Sequence, residues 1–147
     1  MKSGNRNATI FAVALSGLII TALVAPVVVR SAEALPYLFE QLKKPAYKNS
    51  LGAIMRGQSR LPSWIGVFLR TMNGVASPGA AVVVEGQALE LYSVCEPHNC
   101  GGNFLYVLYA PGGSQAWALV TKEGQILAVL GNPSAAQQQA LVAATKQ

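Results

Sequence analysis

The two cysteines of the chain, Cys95 and Cys100, enclose its single histidine, His98. In an oxidising compartment, a disulfide is the expected state of the cysteine pair in Cys95-Glu96-Pro97-His98-Asn99-Cys100. A ring of six residues removes only roughly 2 kcal/mol of chain entropy, which is too local an effect to hold a whole fold together. Its effect is to restrict the residues that it encloses, and Pro97 restricts them further. The segment is therefore expected to present one imidazole on a rigid loop.

Several kinds of site use a histidine with two cysteines. A thiol oxidoreductase requires two residues between the cysteines at the start of a helix, and four residues after an apolar strand do not match this pattern. A metal site requires more ligands than one histidine and two cysteines at this spacing. Two interpretations stay open: a structural disulfide with an incidental His98, and a preorganised loop that docks into an enzyme at small entropic cost.

An enzyme is not expected from this sequence. The chain contains no aspartate and only one histidine, so few acid–base pairs can be assembled. No nucleotide-binding or catalytic motif occurs in it, and no cofactor is expected.

The N-terminus has the pattern of a secretory signal. A short basic segment precedes an uncharged apolar run from Ile10 to Val29, and residues 32–34 form an Ala-x-Ala site. We therefore predict a signal peptide over residues 1–34 and a single domain over residues 35–147. The alternative is a retained membrane anchor, because an apolar run of about 20 residues can span a bilayer.

The charge of the predicted domain argues against nucleic acid as a partner. Without residues 1–34 the net formal charge is +3, and Lys43-Lys44 is the only pair of adjacent basic residues. No basic stripe with interleaved aromatic residues is present, so nucleic-acid binding is not expected. After signal cleavage, no membrane association is expected either.

The first part of the predicted domain has helical spacing. Apolar residues predict a two-part helical arm over 35–44 and 46–56, interrupted at Pro45. A short helical turn is expected to start at Pro62-Ser63, with Trp64 packed against a sheet. Residues 71–79 are rich in turn formers and are expected to be an exposed connection.

The second part has strand-like composition. Five segments joined by short turns predict an antiparallel meander, and the run 103–110 is apolar on both faces, so helices must cover both sides of the sheet. The segment Cys95–Cys100 connects two adjacent strands and is expected at an edge of the domain, where binding loops lie. Asn132 is expected to cap a final helix whose first residue is Pro133. The predicted strands are 81–85, 88–94, 103–110, 114–121 and 125–130, and the predicted final helix is 135–144.

These segments resemble the Ivy family, inhibitors of vertebrate lysozyme in the periplasm of Gram-negative bacteria. The family has a Cys-Lys-Pro-His-Asp-Cys loop followed by glycine, which is similar to residues 95–101 here. Leu61-Pro62-Ser63-Trp64-Ile65 is similar to the family's Leu-Pro-Ala-Trp-Val segment, and the resemblance covers most of residues 40–130. It implies a periplasmic protein with an α+β fold, a central five-stranded antiparallel sheet with helices packed on it.

The resemblance also implies a mechanism. In the family the disulfide loop protrudes, and its histidine, which is His98 here, enters the lysozyme cleft between the two catalytic carboxyls. The carboxyls of a retaining glycosidase are about 5–5.5 Å apart, and a protonated imidazole donates from both of its nitrogens. The predicted inhibitory loop therefore consists of Cys95, Glu96, Pro97, His98, Asn99 and Cys100, with a Cys95–Cys100 disulfide, His98 as the key contact and no metal.

Two loop positions depart from the family pattern, since Glu96 replaces a lysine and Asn99 replaces an aspartate. A carboxylate at position 96 would either repel an acidic catalytic pair or meet basic residues at the rim of a target. The partner stays open between a c-type lysozyme and a lytic transglycosylase of the cell's own envelope. An envelope binding or scaffold domain with a purely structural loop is the alternative outside this class. The protein is expected to be a monomer or a homodimer.

Overall fold

The computed structural model describes residues 34–147. The predicted signal peptide over residues 1–34 lies outside the described residues except for Ala34, so the proposed boundary before a domain over 35–147 stays a prediction. Within residues 34–147, no helix combines the length and the apolar character that crossing a membrane requires.

The described part of the chain contains a sheet with helices on both faces. In chain order the elements are β1 Leu35–Tyr37, α1 Leu38–Gln41, α2 Pro45–Met55, α3 Ser63–Thr71, β2 Val75–Ala76, β3 Pro78–Val84, β4 Gln87–Cys95, β5 Phe104–Tyr109, β6 Ala116–Lys122, β7 Gln125–Leu130 and α4 Ala135–Ala144. The sheet order is β1-β3-β4-β5-β6-β7, and every pair is antiparallel. The short strand β2 pairs with the last residues of β4, which β3 does not reach. A short 3-10 turn, Pro111–Gly113, connects β5 to β6.

The predicted α+β class and antiparallel meander are confirmed, but the strand number is not. The five predicted strands correspond to β3 to β7, and β1 and β2 raise the number in the described sheet to seven. Both additional strands are very short, with three and two residues. Strands of this length carry almost no periodicity, so hydrophobic pattern does not reveal them.

The helix predicted over 35–44 was wrong in its first three residues and in its last three, because α1 ends at Gln41. Leu35–Tyr37 is an edge strand, in which Leu35 pairs with Gly79 of β3. An edge strand tolerates Pro36 because one side of its backbone has no ladder to join. The helix α1 begins only after Tyr37, whose backbone N–H donates to the Glu40 carboxylate at 3.1 Å. Pairing with β3 therefore overrides the local helical spacing.

Residues 71–79 are not an exposed connection throughout. Helix α3 continues to Thr71, well beyond the predicted short turn, and Val75–Ala76 then pairs with Val94 and Cys95. The apolar face of α3, with Trp64, Ile65 and Phe68 buried, explains why the turn extends into a full helix. As predicted, Trp64 packs in the core beside the sheet.

The cap of the last helix lies two residues later than predicted. Ser134 is the N-cap of α4, and its hydroxyl accepts the Gln137 backbone N–H at 3.3 Å while the Gln137 side chain accepts the Ser134 N–H at 2.8 Å. This is a reciprocal capping box. Asn132 instead has φ of +51°, a left-handed conformation that asparagine tolerates better than most residues.

The two faces of the sheet support separate apolar cores, as the two-sided strands predict. Helices α1, α2 and α3 cover one face, which includes Val94 and Val107, whereas α4 covers the other face, which includes Leu108 and Leu119. Strand β5 contributes buried residues to both cores. The loop after β4 is therefore attached to a strand that is fixed from both sides.

A buried polar network joins the helices to β4. The Glu90 carboxylate accepts hydrogen bonds from the hydroxyls of Tyr47 at 2.9 Å and Tyr92 at 2.8 Å. The Tyr92 hydroxyl accepts from the side-chain amide of Gln41 in α1 at 2.9 Å. Burial, and next the hydrogen bond to Glu90, raise the pKa of Tyr47 to about 12 and also raise the pKa of Tyr92.

Candidate functional site

The predicted loop forms the connection between β4 and β5. Cys95 is the last residue of β4 and pairs with Phe104, the first residue of β5. The predicted disulfide between Cys95 and Cys100 is present, with a Cα–Cα distance of 5.1 Å. Cys95 is buried and Cys100 is half-buried, whereas His98 and Asn99 are exposed. The ring is thus attached to the sheet at one end and presents its centre to solvent.

The centre of the ring is a tight turn. The Asn99 backbone N–H donates to the Glu96 carbonyl at 3.0 Å, and His98 has φ of +61°. Proline at the second position and positive φ at the third are the pattern of a type II turn. That third position normally holds glycine or asparagine, so a histidine there adopts an uncommon backbone conformation. The surrounding contacts must hold the loop in this shape.

A hydrogen bond between two side chains of the ring forms a further link between its residues. The Asn99 side-chain amide donates to the Glu96 carboxylate at 2.8 Å. Glu96 and Asn99 are the two positions at which the loop departs from the Lys and Asp of the family pattern. The two departures are therefore bonded to each other, and the ring that carries His98 also carries the negative charge of Glu96.

The base of the loop is anchored by a residue that the sequence interpretation assigned only to a strand. Asn103 is 5% exposed, and its side-chain amide donates to the carbonyls of Asn99 at 3.2 Å and Gly101 at 3.4 Å. Its side-chain oxygen accepts the backbone N–H of Glu123 in the β6–β7 turn at 3.1 Å. The one feature of the sequence that could have indicated this role is that Asn103 is a polar residue directly before an apolar strand.

The chemistry of the site is that of a binding loop. Both cysteines are in the disulfide, so neither is available as a thiol nucleophile or as a thiolate ligand. Across residues 34–147, no group of three or more His, Cys, Asp and Glu side chains is placed to hold a metal ion. The exposed group that can exchange protons and donate hydrogen bonds at the apex of the ring is the imidazole of His98.

Comparison with known proteins places this loop within a recognised family. The family model described as inhibitor of vertebrate lysozyme (Ivy) matches residues 56–145. A Pseudomonas aeruginosa protein named inhibitor of vertebrate lysozyme is 38% identical over 88 residues, which are 60% of this chain and 55% of that protein. An uncharacterized protein of Yersinia pestis is 29% identical over 99 residues, which are 67% of this chain and 62% of that protein. The matched region therefore spans 55–62% of the length of these relatives.

Proposed function

Since the chain belongs to the family of inhibitors of vertebrate lysozyme (Ivy), we propose that it inhibits a c-type lysozyme by inserting His98 between the two catalytic carboxyls. The observation that carries this proposal is an exposed imidazole on a loop closed by a disulfide and by hydrogen bonds. The name of the Pseudomonas aeruginosa relative supports the same class of target.

The dimensions of a retaining glycosidase suit a single imidazole. Its two carboxyls are about 5–5.5 Å apart, and the protonated ring donates one hydrogen bond from each side. One histidine can therefore bond both carboxyls at once and occupy the position of the scissile bond. The negative charge of the carboxyls favours the protonated ring, which is the form that makes both bonds.

Preorganisation of the loop supports tight binding. The disulfide, the turn hydrogen bond from Asn99 to Glu96 and the buried Asn103 all restrict the loop before it meets a target. A flexible loop loses backbone entropy when it is ordered on binding, and this loss lowers affinity. Because the loop is already ordered here, binding requires little further loss.

The same disulfide supports an extracytoplasmic location. We propose that residues 1–34 direct export and that the domain acts in the periplasm, because disulfides persist in oxidising compartments and are rare in the cytosol.

The test is inhibition of cell-wall hydrolysis. Protein extracted from the periplasm of cells that express the full chain is purified and titrated against a c-type lysozyme acting on a cell-wall suspension. We expect inhibition by the unmodified protein and at least roughly a 100-fold loss for His98→Ala, since a central interface contact accounts for about 3 kcal/mol or more. His98 is exposed, so the melting temperature should hardly change.

A second variant separates the imidazole from the backbone of the turn. His98→Gly removes the ring and suits a backbone with φ of +61°, so its turn should be at least as well formed as in the parent. Loss of inhibition in both variants assigns the effect to the imidazole. The proposal fails if the unmodified protein does not inhibit at micromolar concentration, or if both variants inhibit as well as the parent does.

A lytic transglycosylase of the cell envelope is assayed in parallel. Such an enzyme cuts the same glycan bond with an acidic residue, so the same imidazole can reach its catalytic group. Inhibition of the transglycosylase without inhibition of lysozyme would indicate that the loop controls the cell's own enzymes. Unchanged binding by His98→Ala to any partner would instead assign the loop a structural role.

A further inference from the structure

The chain contains two Glu-Gly turns with nearly the same backbone but different surroundings. Glu85-Gly86 connects β3 to β4, and Glu123-Gly124 connects β6 to β7. The φ angles are +51° and +77° in the first turn and +52° and +79° in the second. Only the second turn is in contact with the disulfide loop, whereas the Glu85 carboxylate of the first turn accepts a hydrogen bond from the Ser134 hydroxyl at 3.1 Å. The comparison therefore concerns the backbone N–H groups of the two turns.

The contact consists of backbone and side-chain hydrogen bonds. The Gly124 N–H donates to the Gly102 carbonyl at 3.0 Å, and the Glu123 N–H donates to the side-chain oxygen of Asn103 at 3.1 Å. Gly102 has φ of +82°, and a Cβ atom built on it would lie 2.2 Å from the Gly124 nitrogen. The chain after Cys100 thus lies directly on the β6–β7 turn.

The orientation of the Asn103 amide follows from its partners. The Glu123 N–H can only donate, so it faces the side-chain oxygen, and the carbonyls of Asn99 and Gly101 can only accept, so they face the side-chain nitrogen. These carbonyls lie on either side of Cys100 in the sequence. Asn103 therefore holds the Cys100 end of the ring through hydrogen bonds that do not involve the disulfide.

We infer that Asn103 is a positioning residue for His98: it fixes the Cys95–Cys100 loop onto the β6–β7 turn and so sets the direction in which the imidazole projects. The disulfide joins the two ends of the ring to each other, and the Glu96 N–H holds the first end by donating to the Asn103 carbonyl at 3.0 Å, but neither restricts the end of the ring at Cys100 relative to the β6–β7 turn. The Asn103 side chain, with Gly102 and Gly124, supplies that restriction. This inference rests on the proposed function only for the inhibition measurement, because the structural measurements below need no target enzyme.

Hydrogen exchange on the unmodified protein gives the first test. The N–H groups of Glu123 and Gly124 are expected to exchange at least about tenfold more slowly than those of Glu85 and Gly86 in the matched turn, which donate to no acceptor within residues 34–147. Equal exchange in both turns would overturn the inference, and this measurement does not depend on any variant or any target.

Two variants then separate loop position from stability. Asn103→Asp keeps the acceptor for Glu123 but loses both donors and places a carboxylate against two carbonyls. Thr121→Val is the matched control, because the Thr121 hydroxyl is equally buried and accepts only the Phe104 N–H, at 3.1 Å. Both variants should lower the melting temperature, since each leaves a buried polar group without its partner.

Only Asn103→Asp should loosen the loop. We expect the NMR order parameter of the His98 amide to fall from about 0.85 to below about 0.6, and the disulfide to be reduced faster by dithiothreitol. Inhibition should weaken by at least about tenfold, whereas Thr121→Val keeps the parental values in all three measurements. Parental loop order in Asn103→Asp would overturn the inference, whereas an unmodified protein without inhibitory activity would overturn only the proposed function.

Discussion

Glu96 and Asn99 determine the charge beside the candidate contact residue. The Asn99 amide donates to the Glu96 carboxylate at 2.8 Å, so both side chains are held in place within the ring that carries His98. A lysine and an aspartate at these positions, as in the family pattern, would carry no net charge, whereas Glu96 with Asn99 carries one negative charge. Under the proposed mechanism this charge approaches two carboxylates.

Exchanging the pair should strengthen inhibition. In Glu96→Lys/Asn99→Asp the loop loses one net negative charge and keeps two side chains that can bond across the ring. We expect the inhibition constant for lysozyme to fall by roughly three- to tenfold at low ionic strength, and by less in 0.5 M salt, where charges are screened within about 4–5 Å.

Glu96→Gln is the matched control, because it removes the charge and keeps an oxygen that accepts from Asn99. It removes the same one unit of net negative charge as the exchange, so it should give a similar gain. Weaker inhibition by both variants at low salt would show that Glu96 meets basic residues of the target, and unchanged inhibition would show that its charge does not repel the carboxylates.

At the scale of elements, the network around Glu90 connects the neighbouring helices α1 and α2 to strand β4, which follows them by about 40 residues in the chain. Tyr47 of α2 and Tyr92 of β4 donate to one carboxylate, and Gln41 of α1 donates to Tyr92. The Tyr109 hydroxyl of β5 donates to the Tyr47 carbonyl at 3.2 Å. Burial raises the pKa of Tyr109 as it does for Tyr47 and Tyr92. The helices on this face are thus attached to the sheet by neutral tyrosines.

These tyrosines should make the protein sensitive to alkali. An unfolded tyrosine releases its proton near pH 10, whereas folded Tyr47 retains it until about pH 12. Its contribution is complete below pH 10, and between about pH 10 and 12 the free energy of unfolding falls by about 1.4 kcal/mol per pH unit for each such group.

Tyr47→Phe should remove one such contribution. We expect the variant to be about 1–3 kcal/mol less stable than the parent at pH 7, because it loses a hydrogen bond to a carboxylate. The difference should stay constant up to pH 9 and narrow above pH 10 in urea unfolding experiments. A constant difference up to pH 12 would show that Tyr47 does not titrate with folding.

At the scale of the whole molecule, one sheet separates two cores, and each core contains one tryptophan. Trp64 is a residue of α3 and lies in the core beneath the helices α1, α2 and α3, and Trp117 lies on the face that α4 covers. Both are buried, at 8% and 5% exposure. Because β4, β5 and β6 contribute buried side chains to both cores, neither core can be lost while the other stays intact.

The two tryptophans should therefore report one transition. Trp64→Phe and Trp117→Phe each leave a single tryptophan, and the fluorescence of each variant is compared with its far-UV circular dichroism during urea unfolding. We expect the two signals to have the same midpoint in each variant, as in a two-state transition. A Trp117 signal that changes at a lower urea concentration than the dichroism would instead show that the α4 face opens by itself.

Features that depend on neighbouring residues were predictable from the sequence. Cys95 and Cys100 are close in the chain, so their disulfide requires no knowledge of the fold, and Pro97 and Asn99 are residues that favour a turn between them. The strands 103–110 and 125–130 and the turns between strands follow from composition and alternation. The apolar character of both faces of β5 correctly indicated helices on both sides of the sheet.

Only the tertiary structure decided the features whose partners are distant. Leu35–Tyr37 is a strand because β3 offers it an edge some forty residues later in the chain, and Val75–Ala76 is a strand because β4 does the same. Asn103 reads as the first residue of a strand until the β6–β7 turn, twenty residues further on, supplies its partner Glu123. The sequence by itself determined that a closed ring carries His98, since the disulfide and the turn are local. The support of that ring depends on hydrogen bonds between segments that meet only when the sheet is assembled.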